Sequence, residues 1–250
     1  MSTRRSADGQ PDVPDLRVAR PAVKAVIFDV DGTLYRQRPL RRAMAVRLVA
    51  GHLLHPIRGL RTAHILAAYR QAQEDMRAEA AVGDLTEVQL LAASARTGVE
   101  IAEVARCVAR WMDVAPLVLL PRCAEPDLAE SLDLLRSWGV RLAVLSDYPA
   151  DAKLAALGIA DHFDLVLCAQ DADIGRFKPH PRGLEVALRR LELDAAEVVF
   201  VGDRSEVDAV SAAAANIRCV IVGGPRVRTD GTDYHTARTL REMAMMLKPT

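Results

Sequence analysis

At 250 residues, half of them apolar, the chain has enough material to bury a substantial core, either as one large domain or as a core domain carrying a smaller one. Its 33 Lys and Arg balance 33 Asp and Glu, so no net charge steers the molecule toward nucleic acid or a membrane surface. Cys107, Cys123, Cys168 and Cys219 are scattered, with no Cys-x-x-Cys pair and no Cys/His cluster at metal-ligand spacing, and they read as reduced, mostly buried thiols of a cytoplasmic protein. No apolar run reaches the roughly 18 residues a membrane helix needs, and the N-terminus carries no apolar stretch of the signal-peptide kind.

Residues 1–21 are polar, basic and broken by prolines, which predicts a disordered leader. Five short β-branched runs follow, at 24–29, 140–146, 164–169, 197–202 and 217–222. Each is nearly continuous in apolar residues rather than alternating, the mark of a parallel strand covered on both faces. Helical patterns of suitable length, such as 150–157 and 182–192, separate the later four. That rhythm predicts an α/β fold, a doubly wound, Rossmann-like parallel sheet whose strand C-termini share one edge, where a ligand sits.

The interval between the first two strands is too long for one crossover. Ile65, Tyr69, Ala72 and Met76 form an apolar stripe at helical spacing. Asp84 with Glu87 resembles a capping box opening a helix with Val88, Leu91 and Ala95, and Ile101, Val104, Val108 and Trp111 form a third stripe. A further helix through Leu128, Leu132 and Leu135 ends at Gly139 and leads back to the sheet. The predicted organisation is a catalytic core of 22–38 and 118–250, interrupted by a helical insert at 39–117.

Two acids, Asp29 and Asp31, close the first strand, with Gly32 and Thr33 behind them. Alternation along an extended chain lets both carboxylates project to one side of the sheet edge. There, one carboxylate suits nucleophilic attack or metal binding and the other general acid and base work. Gly32 permits close backbone approach to an oxyanion. Taken alone, the same stretch also suits a calcium-binding or merely polar turn.

With the remaining motifs the pattern becomes specific. "DVDGTL" at 29–34 resembles the first signature of the haloacid dehalogenase superfamily of aspartate-nucleophile phosphatases. "LAVLSDYP" places Ser146 at its second signature, "DIGRFKPHP" places Lys178 at its lysine signature, and "VFVGDRSEVDAV" places Asp203 and Asp208 at its acidic signature. All four stand in order, each at a strand end or on the loop beyond it.

The resemblance implies a Mg²⁺-dependent phosphatase that hydrolyses a small phosphomonoester through an aspartyl-phosphate on Asp29. Asp31 would serve, when protonated, as general acid and then as base. Gly32, Ser146 and Lys178 would bind phosphate, while Asp29, the backbone carbonyl of Asp31, Asp203 and Asp208 would hold Mg²⁺, with Glu206 a secondary candidate. In relatives that cleave carbon–halogen bonds or phosphonates, the place of Asp31 is taken by a residue unable to protonate an alcohol. Sugar phosphomutases share the acid pair and form the rival chemistry, and a non-catalytic binding or regulatory relative is the rival class.

Asp147 reads as a loop-orienting residue, Arg204 has no expected catalytic role, and His180 is expected to lie exposed. The insert resembles the superfamily's helical cap, which chooses the substrate. Its first half, 36–80, holds nine arginines and three acids, and "YRQRPLRR" departs from phosphoglycolate-phosphatase-like relatives immediately after the first signature. The expected partner is a small phosphorylated metabolite, with no nucleic acid and no membrane, and the oligomeric state is left open.

Overall fold

Strands form where the apolar runs stand. The computed structural model describes residues 22–223 and 234–249, so the N-terminal leader lies outside the described residues. β1 (Ala25–Phe28), β2 (Arg141–Ser146), β3 (Leu165–Cys168), β4 (Val198–Gly202), β5 (Arg218–Val222) and β6 (His235–Ala237) make one parallel sheet in the order β3-β2-β1-β4-β5-β6. The chain winds outward from β1 through β2 to β3, then returns to β4 on the other side of β1. The strand order therefore reverses beside β1, and its carboxyl end is where a doubly wound sheet opens a ligand crevice.

Alternation sorts the continuous runs onto two faces. Val26, Phe28, Leu142, Val144, Val199 and Val201 pack with Leu132, Leu135, Leu240 and Met243 on one side. Ala25, Ile27, Ala143, Leu145 and Phe200 pack with Leu184, Val186, Leu191 and Ala212 on the other. The first layer comes from α6 (Leu128–Ser137) and α10 (Leu240–Met246), the second mainly from α8 (Arg182–Leu191) and α9 (Val210–Ala214). α7 (Asp151–Leu157) joins β2 to β3. The sheet thus has six strands where five runs were legible: β6 is three residues long and mixes polar with apolar side chains, too little for a periodic signal.

Between β1 and β2 the chain is helical, in α1 (Gln37–Gly51), α2 (Pro56–Ala78), α3 (Leu85–Thr97), α4 (Ile101–Val108), which runs on as a π-helical turn over Ala109–Val114, and the short α5 (Leu120–Cys123). The insert has its own apolar cluster, Ile65, Ala68, Tyr69, Ala93, Val99, Val104 and Val108, against which Tyr148 of the sheet domain packs. A second cluster, Met76 and Leu85 with Ala169 and Phe177, ties α2 and α3 to the loop beyond β3.

One stripe differs from its sequence expectation. Asp84 does cap α3, accepting the Glu87 N–H at 3.0 Å. Yet Val88 and Leu91 are exposed, and the buried face is Leu85, Gln89 and Ala93. Gln89 is drawn inward because its amide donates to the Tyr69 carbonyl and the Tyr148 hydroxyl, at 2.8 and 2.7 Å. Those bonds roll the helix off its most apolar side.

Leu132, fully buried under the sheet, tests the first layer. Leu132→Ala is expected to lower the unfolding free energy by about 2–5 kcal/mol. It would be read as an earlier urea midpoint at unchanged m-value.

Candidate active site

The carboxyl ends of β1 and β4, with the loops beyond β2 and β3, bring together residues far apart in sequence. Asp29 follows β1 directly and is anchored by its N–H to the Val201 carbonyl of β4 at 2.8 Å. Its carboxylate is buried: Oδ1 accepts from Lys178 Nζ at 2.6 Å and Oδ2 from Thr33 Oγ1 at 3.2 Å. Lys178 is buried as well, and its ammonium also donates to Asp208 Oδ1 at 2.7 Å. The second oxygen of Asp208 accepts the backbone N–H groups of Asp203 and Arg204 at 3.2 and 3.0 Å, which fixes the turn that presents Asp203.

Two glycines make room for this. A Cβ on Gly32, whose φ is +113°, would stand 2.1 Å from Asp203 Oδ2, and one on Gly202 would stand 2.4 Å from Asp208 Cγ. Glycine here lets carboxylates approach backbone that any side chain would block.

One carboxylate oxygen from each of Asp29, Asp203 and Asp208 lies within 4.8 Å of the others. Burial first, then the neighbouring acids, pushes Asp203 up to about 7. Burial likewise raises Asp29 to about 6, against the opposing charge of Lys178. Desolvation lowers Lys178, but Asp208 and Asp29 outweigh it and hold the ammonium above its ordinary value. Three hard oxygen donors carrying more mutual repulsion than one lysine relieves are a fitting set for a divalent cation.

Asp31 is differently placed. Its carboxylate is not part of that trio; Lys153 Nζ donates to its two oxygens at 2.7 and 2.8 Å, and the Tyr35 hydroxyl donates to one of them. Burial pushes Asp31 up, yet Lys153 and Tyr35 outweigh it and leave the carboxyl below its usual range. The acid expected in protonated form is therefore an ion-paired carboxylate here. Its backbone carbonyl accepts from the Gln37 side chain.

Ser146 ends β2 and is buried, with its hydroxyl accepting the Tyr148 N–H at 3.4 Å. Asp147 links the insert to the core: it accepts from Arg77 and Gln73 of α2 and from the Lys178 N–H. Glu206 is exposed and pairs with Arg204 at 2.9 Å, away from the acidic trio. His180 is half-buried rather than exposed, its Nδ1 accepting the Arg182 N–H at 3.1 Å.

Sequence reading did not single out Lys153, Tyr35 or the α2 pair Gln73 and Arg77. Lys153 had a faint signal, a cation in the first turn of the helix that follows the Ser146 strand. A cavity of about 600 Å³ connects all these groups. Asp29, Asp31, Lys178, Asp203 and Asp208 line its core side, and Arg41, Met44, Leu48, Leu66, Arg70 and Met112 of the insert line the far side.

A family model described as haloacid dehalogenase-like hydrolase matches residues 23–216. Phosphoglycolate phosphatase of Pectobacterium atrosepticum is 30% identical over 240 residues, covering 90% of this chain and 88% of that protein. Glyceraldehyde 3-phosphate phosphatase of Methanopyrus kandleri is 32% identical over 195 residues, covering 74% and 78%. Among solved structures, a 2-haloacid dehalogenase from Pseudomonas syringae pv. Tomato DC3000 superposes with a TM-score of 0.64 at 26% identity, over 90% of this chain and 98% of that one.

Lys178→Met removes the only cation bonded to both Asp29 and Asp208 among the described residues. Leaving two buried carboxylates uncompensated is expected to cost about 3–5 kcal/mol of folding stability, measured by urea unfolding. A loss below about 1 kcal/mol would mean that the lysine is not holding the acids.

Proposed function

The chain belongs to the haloacid dehalogenase-like hydrolase family, and from that premise we propose that it is a Mg²⁺-dependent phosphatase of a small phosphomonoester, working through an aspartyl-phosphate on Asp29. The observation that carries the reading is the pairing of two acids two residues apart. Asp29 is gripped by Lys178, and Asp31 is gripped by Lys153, both on the wall of one cavity. Phosphatase names among relatives that cover most of the chain support it.

In the first step Asp29 attacks phosphorus and the leaving oxygen departs with a proton from Asp31. Asp31 must take up that proton as the anionic substrate binds, because in the free site Lys153 and Tyr35 hold it as a carboxylate. In the second, water attacks the aspartyl-phosphate, and Asp31 takes the water's proton. Lys153 favours the ionised Asp31 that this second step requires. Thr33 and Lys178 orient the Asp29 carboxylate, so that little reorganisation is needed as charge builds on the phosphoryl oxygens. Gly32 and Ser146 belong to the phosphate cradle in this reading, together with the N–H groups beyond Asp31.

Asp29, Asp203, Asp208 and the Asp31 carbonyl are the groups that would hold Mg²⁺, which when bound supplies charge neutralisation at the phosphoryl group. The insert over 39–117 acts as the cap: α1 and α2 close the cavity and present Arg41 and Arg70 to an anionic substrate. An aspartate at 31 favours phosphate esters over carbon–halogen substrates, because a carboxyl group there can serve an alkoxide leaving group.

Asp29→Asn is expected to abolish phosphate release from a phosphomonoester panel, by at least about a thousandfold, with circular dichroism unchanged. Chelation of divalent cations should do the same and be reversed by added Mg²⁺. Near wild-type turnover by Asp29→Asn in Mg²⁺ would remove the nucleophile assignment. Transfer of phosphate to an isomeric sugar without release of phosphate would favour the mutase chemistry instead.

A further inference from the structure

At the bend between α1 and α2 the insert points a set of large apolar side chains into solvent. Leu53, Leu54, Ile57 and Leu60 are 74%, 88%, 80% and 73% exposed, and Val46 and Val49 stand beside them on α1, also exposed. The bend is tightly built. A Cβ on Gly59 would lie 2.8 Å from His52 Cβ, so α2 passes against His52 with no room to spare. The His52 ring lies 5.5 Å from the buried Trp111 ring, and its Nδ1 sits 2.9 Å from the Leu48 carbonyl. With His52 held inward on Trp111, Leu53 and Leu54 are presented outward.

The electrostatics of this end are one-sided although the chain is neutral. From Arg36 to Gln73 there are eight arginines and no Asp or Glu. Arg42, Arg47 and Arg58 are exposed and form no ion pair among the described residues, while Arg61 pairs with Glu103 at 2.7 Å. Contiguous exposed apolar patches are uncommon on soluble proteins unless something covers them. An apolar tip on two helices whose exposed arginines are unpaired matches a surface with an apolar interior beneath anionic groups.

We propose that the α1–α2 tip docks on an anionic lipid surface, with Leu53, Leu54, Ile57 and Leu60 entering the head-group boundary and Arg42, Arg47 and Arg58 meeting lipid phosphates. A second copy of the chain is a poorer occupant. A two-fold interface places the same patch on both sides, so it would bring one set of unpaired arginines close to a second such set. Nucleic acid is poorer still, because residues 46–60 hold no Phe, Tyr or Trp and the tip offers leucines where bases need broad aromatic faces. None of the four tip residues lines the cavity. Docking is therefore separable from the proposed phosphatase reaction, and extends it by bringing the enzyme to a membrane surface, although no helix among the described residues is long and apolar enough to cross one.

Flotation of the full-length protein with extruded vesicles tests this. Wild-type protein is expected to float with mixed phosphatidylglycerol and phosphatidylcholine vesicles and to stay in solution with phosphatidylcholine alone. Binding to the anionic vesicles should fall about tenfold or more when salt is raised well above physiological strength. The variant Leu54→Glu/Ile57→Glu should lose flotation while keeping its urea midpoint and its Mg²⁺-dependent hydrolysis of p-nitrophenyl phosphate. Leu54→Gln, a milder change, should weaken flotation in the same direction if the double variant misfolds.

Failure of wild-type protein to float, or equal flotation with neutral vesicles, overturns the proposal. So does a wild-type dimer in light scattering that the double variant converts to monomer, since a second copy would then cover the tip. If p-nitrophenyl phosphate is not hydrolysed, the phosphatase reading fails while flotation still reports on docking.

Discussion

The buried ammonium of Lys178 is the constraint from which the site follows. It lies between Asp29 and Asp208 at 2.6 and 2.7 Å in a place almost closed to water. Burying a charge is costly unless it is paired and hydrogen-bonded. Each partner here is bonded again: Asp29 to Thr33, and Asp208 to two backbone N–H groups. The lysine thus joins the loop beyond β3 to the ends of β1 and β4. One cation against three convergent acids still leaves Asp29 and Asp203 raised, so the trio has the charge and the donor atoms that could hold a further cation.

A second linkage couples the insert to this centre. Asp147 accepts the Lys178 N–H with one oxygen and bonds Arg77 and Gln73 of α2 with the other. The backbone of the site's lysine and the helix that walls the cavity therefore share one carboxylate. Tyr148, the next residue, packs between Tyr69 of the insert and Phe177 of the lysine loop, with tilted rings whose centroids are 6.3 and 5.9 Å away. Any shift of α2 over the cavity is felt one residue from Ser146 and one hydrogen bond from Lys178.

The insert is also where the molecule's neutrality breaks down locally. Arginines concentrate on α1 and the first half of α2, while acids concentrate at the strand ends, so the cavity has a cationic outer wall and an acidic floor. In the proposed reaction a phosphate ester would be drawn to the outer wall by charge, whereas at the floor Lys178 and a metal cation would have to offset the carboxylates. Equal totals of opposite charge, which seemed to exclude electrostatic steering, conceal this separation.

The amino-acid sequence by itself determined the strands of the sheet core, because residues covered on both faces must be apolar throughout, and such runs are visible without coordinates. It also determined the acids and the lysine of the four motifs, since each stands beside a strand end that local pattern locates. Local pattern failed where long-range contacts override it. Val88 and Leu91 look like a core stripe, but hydrogen bonds from Gln89 to Tyr69 and Tyr148, distant in sequence, turn α3 the other way. β6 is too short to signal itself and forms by pairing with β5. That Asp31 faces Lys153 instead of joining the other acids is also a tertiary fact: the partners are 122 residues apart, and only the side-by-side packing of β1 and β2 brings the turn after one to the helix after the other. Side-chain identity could name the candidate groups, and the crossing of distant segments decided which charge each one meets.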